Sequence, residues 1–369
     1  MTLTIQIQPY MAISNSKKIG IWFFTGALMV FLILVIGGIT RLTQSGLSIV
    51  EWRPVTGVMP PLSDTDWMIE FEKYRQSPEY QQINAGMSLD QFKFIYFWEY
   101  LHRLLARALG IVFIVPFIWF LVKKQITSRQ IKQSLILVLL GIIQGFMGWY
   151  MVASGLVDIP YVSPYRLTAH LLLAFSIFGT CVWFGIEAYK NKITASESLS
   201  MSKESQANLL KWILATFILL TLQISWGALV AGHKAGYIFN TYPLMNGYFI
   251  PGNAMDLKPL WYNFVGNPGM VQFIHRTLGI VLLVVSIATG LKITKNINDF
   301  RVRQYATYFM LLMGIQVVFG IITLLLRVPV ILGVVHQAIA MILFSLLILI
   351  WYDVQRMNVI SGQAKKSKS

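Results

Sequence analysis

The peptides Glu99-Tyr-Leu-His102-Arg103 and Gln272-Phe-Ile-His275-Arg276 match each other, and each enters a long apolar segment. Two further histidines, His170 and His336, follow them at similar distances along the chain. This repeat predicts two similar sites in two similar halves. Glutamate ionises and glutamine does not, so the Glu99/Gln272 difference predicts that the two sites perform different tasks.

The composition predicts an all-α polytopic membrane protein. Hydrophobic residues make up 56% of the 369 residues and charged residues 12%. Eight apolar stretches reach the ~20 residues that a helix needs to cross a bilayer core. We predict spans at 20–40, 95–122, 131–153, 166–190, 208–231, 270–293, 304–326 and 330–352.

The charge distribution predicts how these spans are oriented. The formal net charge is +15, and most lysines and arginines fall in the N-terminal segment, the even-numbered loops and the C-terminal tail. By the positive-inside rule, these segments and both termini are cytoplasmic. The basic residues are therefore orientation signals, and we expect no nucleic-acid binding.

The repeat predicts two tandem four-helix bundles. The first unit covers 1–190 and includes a long outer loop at 41–93, a polar linker occupies 191–207, and the second unit covers 208–369. Gly37-Gly38 in the first span of the first unit matches Gly227 in the second unit. Because each unit starts on the same side of the membrane, a pseudo-two-fold axis along the membrane normal relates two parallel copies.

The four repeated histidines all lie in the first turns of even-numbered spans, so we expect them at one depth near the outer face. A single histidine there is often a hydrogen-bonded helix contact, but four repeated ones favour function. The one cysteine, Cys181, excludes an intrachain disulfide. Two histidines are too few for a zinc site, whereas two imidazoles are the axial ligands of a six-coordinate heme iron.

Cations near the outer side are candidates for binding heme propionates, because guanidinium groups bind carboxylates in two-point fashion. The candidates are Arg41, Arg103, Arg166, Arg276 and Lys234. Glu99 lies three residues before His102, so the two side chains share a helix face and the carboxylate is expected beside the heme. The alternative is an ion pair from Glu99 to Arg103, and the two roles are compatible.

Further motifs extend over nearly the whole chain. They are Gly37-Gly-Ile-Thr-Arg-Leu-Thr-Gln-Ser-Gly-Leu-Ser48, Trp52-Arg-Pro-Val-Thr-Gly57, Phe71-Glu-Lys-Tyr74, Pro78-Glu-Tyr80, Phe92-Lys-Phe-Ile-Tyr96 and Phe239-Asn-Thr-Tyr-Pro-Leu-Met245. With the two His-Arg peptides, they resemble the heme A synthase family in its mitochondrial and α-proteobacterial branch. The resemblance implies an enzyme that oxidises the C8 methyl of heme O to a formyl group.

The resemblance also implies roles for single residues. His102 and His170 would flank the substrate heme O, His275 and His336 would ligate a permanent heme b, and Glu99 would be the catalytic carboxylate. The implied partners are heme O, the heme O synthase that supplies it, cytochrome oxidase assembly proteins, membrane lipid and a second copy of the chain. The implied location is a bacterial inner membrane rather than the mitochondrial one.

One departure from the family pattern concerns electron supply. Other branches carry a cysteine pair in the first outer loop, and the loop from Arg41 to Lys93 has no cysteine. The sequence also leaves three other functions open, namely a non-catalytic diheme cytochrome b, a heme-handling transporter and a membrane assembly factor without heme. A transmembrane electron conductor would place its hemes at two depths, and the histidine pattern favours one.

Overall fold

A computed structural model describes residues 9–52, 57–156, 160–190 and 200–360. Its helices are α1 (Pro9–Leu42), α2 (Asp64–Arg75), α3 (Pro78–Gln82), α4 (Leu89–Val122), α5 (Ser128–Ala153), α6 (Pro164–Tyr189), α7 (Lys203–Gly232), α8 (Ala235–Ile238), α9 (Asn263–Gly266), α10 (Pro268–Asn296), α11 (Phe300–Leu325) and α12 (Val330–Gln355). A short 3₁₀ helix covers Leu260–Tyr262. The strands β1 (Ser200–Ser202) and β2 (Asn358–Ile360) pair in parallel.

Eight of these helices are long and apolar enough to cross a bilayer. They are α1, whose apolar part is Ser16–Leu42, and α4, α5, α6, α7, α10, α11 and α12. The prediction of an all-α polytopic membrane protein with eight spans is confirmed, and the short β1/β2 pair is a minor addition. The chain is therefore a multi-pass membrane protein.

Helices α4 and α7 begin before the predicted spans at 95–122 and 208–231, because polar residues cap the helices earlier than hydropathy indicates. Helix α4 begins at Leu89, where Ser88 and Gln91 form a capping box. Helix α7 begins at Lys203, after the capping residue Ser202, so the last part of the predicted linker is helical. Residues 191–199 of that linker lie outside the described residues. The division into two units stays a prediction.

The eight spans form two sets of four helices that are consecutive along the chain. In the first set, α1 packs against α4 and α6, and α5 packs against α6. In the second set, α7, α10, α11 and α12 form a closed ring of neighbours. The sets meet through α1, α6, α7 and α12. The first set differs because α4 and α5 hardly touch, which leaves its ring open on one side.

The long loop at 41–93, which is predicted to lie on the outer side and is called the outer loop below, folds against the N-terminal end of α4. Tyr74 of α2 packs on Phe92 of α4 with ring centroids 5.2 Å apart. The Tyr74 hydroxyl donates to Oε2 of Glu79 at 3.2 Å and accepts from Asn84 at 2.7 Å. Glu79 is buried. Burial raises the pKa of this carboxyl to about 7, and the hydrogen bond from Tyr74 offsets part of the shift.

Glu79 makes the stability of the outer loop depend on pH. Between about pH 4.5 and 7 the folded loop holds a proton that the unfolded chain releases, so stability falls as the pH rises through this range. We expect Glu79→Gln to remove most of this slope, measured as the midpoint of thermal unfolding from pH 5 to 8. Glu72→Gln, at an exposed position of the same loop, is the control and should keep the wild-type slope. An unchanged slope in Glu79→Gln would contradict the assignment.

Candidate active site

Each of the four repeated histidines lies against a glycine of the preceding span. A methyl group added to the glycine would contact Cε1 of the imidazole. The distances from this added Cβ are 2.8 Å for Gly37 and His102, 3.3 Å for Gly148 and His170, 3.0 Å for Gly227 and His275, and 2.9 Å for Gly320 and His336. The glycines therefore let the rings approach the neighbouring helix backbone.

The glycines also set the depth of the histidines. Gly37, Gly148, Gly227 and Gly320 each stand five residues before the last residue of their helices. The four imidazoles therefore lie at similar levels near one end of the bundle. His102 is a correction to the predicted position in the first turns, because it follows Leu89, the first residue of α4, by 13 residues.

The imidazoles form two pairs. His102 and His170 lie near enough to interact electrostatically, as do His275 and His336. Within the described residues, Nδ1 of His102, His275 and His336 is buried without a hydrogen-bond partner. In the same part of the chain, no group of three or more histidine, cysteine, aspartate or glutamate side chains could hold a metal ion. Two facing imidazoles at each site, three of the four with a buried Nδ1 that lacks a partner, fit the axial positions of a heme iron.

Glu99 is 3% exposed, and its carboxylate binds both the segment after α1 and Arg103 of α4. Its Oε2 accepts hydrogen bonds from Ser48 Oγ at 2.7 Å and from the Ile49 amide at 2.8 Å. Its Oε1 accepts from Arg103 at 2.6 Å. The ion pair considered as an alternative is thus present. A carboxylate has about four acceptor positions, so one remains for another donor.

The matching peptide of the second set is arranged differently. The Gln272 amide donates to the Phe239 carbonyl at 2.8 Å, and Arg276 Nη2 donates to the same oxygen at 2.9 Å. Nε and Nη1 of Arg276 are buried, and neither has a hydrogen-bond partner among the described residues. Arg103 is paired with Glu99, whereas Arg276 has no carboxylate beside it and keeps donors for an anion such as a propionate.

The other predicted cations each have a partner. Arg41 donates to the Ala231 carbonyl of α7, which joins the two sets of helices. Arg166 donates to the Tyr150 carbonyl at 2.7 Å and lies over the Tyr150 ring. Lys234 lies 4.0 Å from the centre of the Tyr161 ring. Burial and the nearby Arg41 lower the pKa of Lys234.

His233, the fifth histidine, stands at the end of α7 and outside both pairs. Its Nε2 lies 2.8 Å from the Val265 carbonyl oxygen. This contact fixes the loop that leads to α10.

A polar cavity of about 470 Å³ lies between the outer loop and α4. Arg103 and Arg107 line it on the α4 side, and Glu70 and Lys73 line it on the α2 side. The Arg103 guanidinium therefore lies between the Glu99 carboxylate and this cavity. This cavity was not predictable from the sequence, because it depends on how the loop packs against α4.

Three glutamines beside the histidines were missed in the sequence. Gln144, Gln223 and Gln316 each stand four residues before the glycine that contacts a histidine. Their amide nitrogens lie between 3.2 and 3.4 Å from the ring nitrogens of His170, His275 and His336, respectively. The available signal was the spacing Gln-x-x-x-Gly near the end of an odd-numbered span.

Comparisons with known proteins agree with this arrangement. Residues 20–348 match the COX15-CtaA family, described as cytochrome oxidase assembly protein. The chain is 42% identical to the heme A synthase of Nitrosospira multiformis, over 92% of this chain and 94% of that protein. It is 43% identical to the heme A synthase of a Wolbachia strain from Culex pipiens, over 90% and 96% of the two chains. It is 44% identical to the heme A synthase of Rickettsia africae, over 89% of this chain and 95% of that protein.

The glycine contacts predict a sharp difference between two substitutions in α11. Gly320→Ala places a methyl group 2.9 Å from His336 and must displace the ring, whereas Gly314→Ala points into open space. We expect at least about tenfold weaker heme binding for Gly320→Ala and wild-type binding for Gly314→Ala. The measurement is the heme absorbance of protein purified in detergent and titrated with hemin. Equal affinities in both variants would contradict the contact between glycine and ligand.

Proposed function

We propose that this chain acts as a heme A synthase. The chain belongs to the COX15-CtaA family of cytochrome oxidase assembly proteins, and it is similar over most of its length to heme A synthases. It oxidises the C8 methyl of heme O to a formyl group by two hydroxylations and loss of water from the geminal diol. The observation that carries this proposal is the asymmetry between two otherwise similar imidazole pairs. One pair has a buried carboxylate nearby, and the other has an arginine with two buried nitrogens that lack a partner among the described residues.

The second set of helices is proposed as the site of the permanent cofactor, heme b. His275 and His336 would hold its iron, and Arg276 would bind a propionate through Nε and Nη1. Heme b supplies one-electron transfer when bound. The closed ring of α7, α10, α11 and α12 suits a group that stays in place, and Gln272 brings no second charge near it.

The first set is proposed as the substrate site, with heme O between His102 and His170. Heme O carries a long apolar tail, and the gap between α4 and α5 provides an apolar opening from the bilayer. Arg103 and Arg166 are the cations proposed for its propionates, with Arg41 and Lys234 at the junction of the two sets. Each hydroxylation removes two electrons from the methyl carbon, and the proposed path for these electrons runs from the substrate to the second set, since no cysteine pair lies in the outer loop to carry them.

Glu99 is proposed as the catalytic residue. Ser48, Ile49 and Arg103 fix its carboxylate on the helix face of His102. The one remaining acceptor position lets Glu99 receive a hydrogen bond, and then a proton, from a hydroxyl group formed on the methyl carbon. Its charge also stabilises positive charge that develops on that carbon during oxidation.

The proposed location is a bacterial inner membrane, with both termini in the cytoplasm and the imidazole pairs near the outer face. The positive-inside distribution of lysine and arginine supports this orientation. The two sets of helices correspond to the proposed units at 1–190 and 208–369. A heme O synthase and cytochrome oxidase assembly proteins are the proposed partners, since one supplies the substrate and the others receive the product.

The role of Glu99 is tested with Glu99→Gln in cells that make heme O. We expect heme A to fall at least about a hundredfold, as for loss of a group that transfers a proton, and heme O or its alcohol to accumulate. The measurement is chromatography of hemes extracted from membranes. Glu79→Gln removes another buried glutamate and serves as the control with normal heme A. Undiminished heme A in Glu99→Gln would overturn the assignment.

The division of labour between the two pairs is tested by removing one ligand at a time. His275→Ala should lose the bis-imidazole heme b spectrum of the purified protein, since the iron loses an axial ligand. His102→Ala should keep that spectrum and lose heme A formation. Loss of the heme b spectrum in His102→Ala, with retention in His275→Ala, would reverse the assignment. A full spectrum together with normal heme A in both would instead contradict the proposed pairs.

A further inference from the structure

The two sets of helices meet at two junctions that the repeat makes equivalent, α1 with α12 and α6 with α7. At the first junction, Nε2 of Gln337 in α12 donates to the Leu34 carbonyl of α1 at 3.1 Å. The same amide lies against Gly38, where an added Cβ would be 3.4 Å from its Oε1. A polar side chain therefore joins the two sets within the long apolar helices.

This hydrogen bond lies between one imidazole of each pair. Gln337 directly follows His336 in the chain. On the other side, the carbonyl of Ile33, which precedes Leu34, interacts with the His102 ring as a backbone acceptor. Two adjacent carbonyl groups of α1 thus face the two sites, one through the ring of His102 and the other through the amide of Gln337.

The equivalent positions of the second junction are apolar. The residue after His170 is Leu171, and the residue of α7 that matches Gly38 is Ala228. A leucine side chain has no hydrogen-bond donor, so it cannot bind the matching carbonyl, that of Ile224. The two junctions therefore differ in one amide, although the helices are in contact at both.

Other bonds between the two sets lie further from the imidazoles. Arg41, which donates to the Ala231 carbonyl, stands one turn beyond the glycine that contacts His102. Lys190 pairs with Asp353 at the other ends of α6 and α12. These contacts hold helix ends together, whereas Gln337 joins the sets beside the proposed iron ligands.

We propose that Gln337 is a positioning residue that ties the helix of His336 to the helix packed on His102, and that its hydrogen bond provides the route for electron exchange between the two hemes. This inference rests on the proposed function. In each exchange one electron moves, so that one iron goes from ferrous to ferric and the other from ferric to ferrous. The rate of such a transfer falls steeply with each gap that no bond crosses. The amide of Gln337 closes the gap between α12 and α1.

The first experiment follows electron exchange in the full-length protein purified with heme b and loaded with heme A at the first site. These hemes absorb at different wavelengths, so a photoexcited ruthenium complex can deliver one electron and the exchange can be followed for each heme. Gln337→Met should slow the exchange by about fivefold, because loss of one hydrogen bond lowers the population of the closely packed arrangement. The reduction potential and bis-imidazole spectrum of heme b should keep their wild-type values. Gln355→Met, at an exposed position at the end of α12, is the control and should exchange at the wild-type rate.

The second experiment moves the amide to the other junction. Leu171→Gln combined with Ala228→Gly gives this junction a donor for α7, where the Gln223 carbonyl interacts with the His275 ring. Added to Gln337→Met, the pair of changes should restore most of the lost exchange rate. Added to the wild type, it should speed the exchange. Ala228→Gly alone is the control and should leave the rate unchanged.

Slower exchange in Gln337→Met at an unchanged heme b potential supports the inference, because damage to the heme site itself would shift the potential. A wild-type exchange rate in this variant would overturn the inference while the proposed function stands. If Gln337→Met does not accumulate, the wild type with Leu171→Gln and Ala228→Gly carries the test, and an unchanged rate there would overturn the inference. A wild-type protein that binds no heme at either pair of histidines would overturn the proposed function as well.

Discussion

The contact between each imidazole and a glycine of the preceding span is the constraint on which both sites depend. A helix backbone accepts a side chain at this distance only where it carries no Cβ, so the four glycines fix how near the rings lie to it. Their equal distance from the ends of four helices sets one level for all four rings. The two pairs of imidazoles therefore lie at one level. Two hemes bound by these pairs would lie side by side.

On this common frame, charge distinguishes the two halves. Glu99 forms an ion pair with Arg103 and ties α4 to the segment after α1, so the first site has a fixed carboxylate beside a paired arginine. Gln272 leaves Arg276 with unused donors, so the second site is suited to bind an anion. The Glu99/Gln272 difference therefore also changes the arginine four residues later, which is paired in the first site and has unpaired nitrogens in the second. The open side between α4 and α5 adds a route for an apolar substrate to the half that holds the carboxylate.

Much of this was readable from the sequence, because hydropathy, charge and repeat spacing are local properties. The eight spans, the four histidines and the Glu99/Gln272 difference come from such patterns. The early start of α4 at Leu89 was missed because polar capping residues carry little hydropathy. The pairing of Arg41 with Ala231, the cavity beside Arg103 and the gap between α4 and α5 depend on tertiary packing. The glutamines were visible in the sequence, but their meaning required the glycine contacts.

The most direct test of the account is an experimental density map of the protein purified with its native heme. The account predicts a heme between His275 and His336, with a propionate on Nε and Nη1 of Arg276, and weaker or substrate-dependent density between His102 and His170. A permanent heme held by His102 and His170, with the second pair empty, would contradict the assignment of the two sites. Iron bound by residues outside these four histidines would contradict the account as a whole.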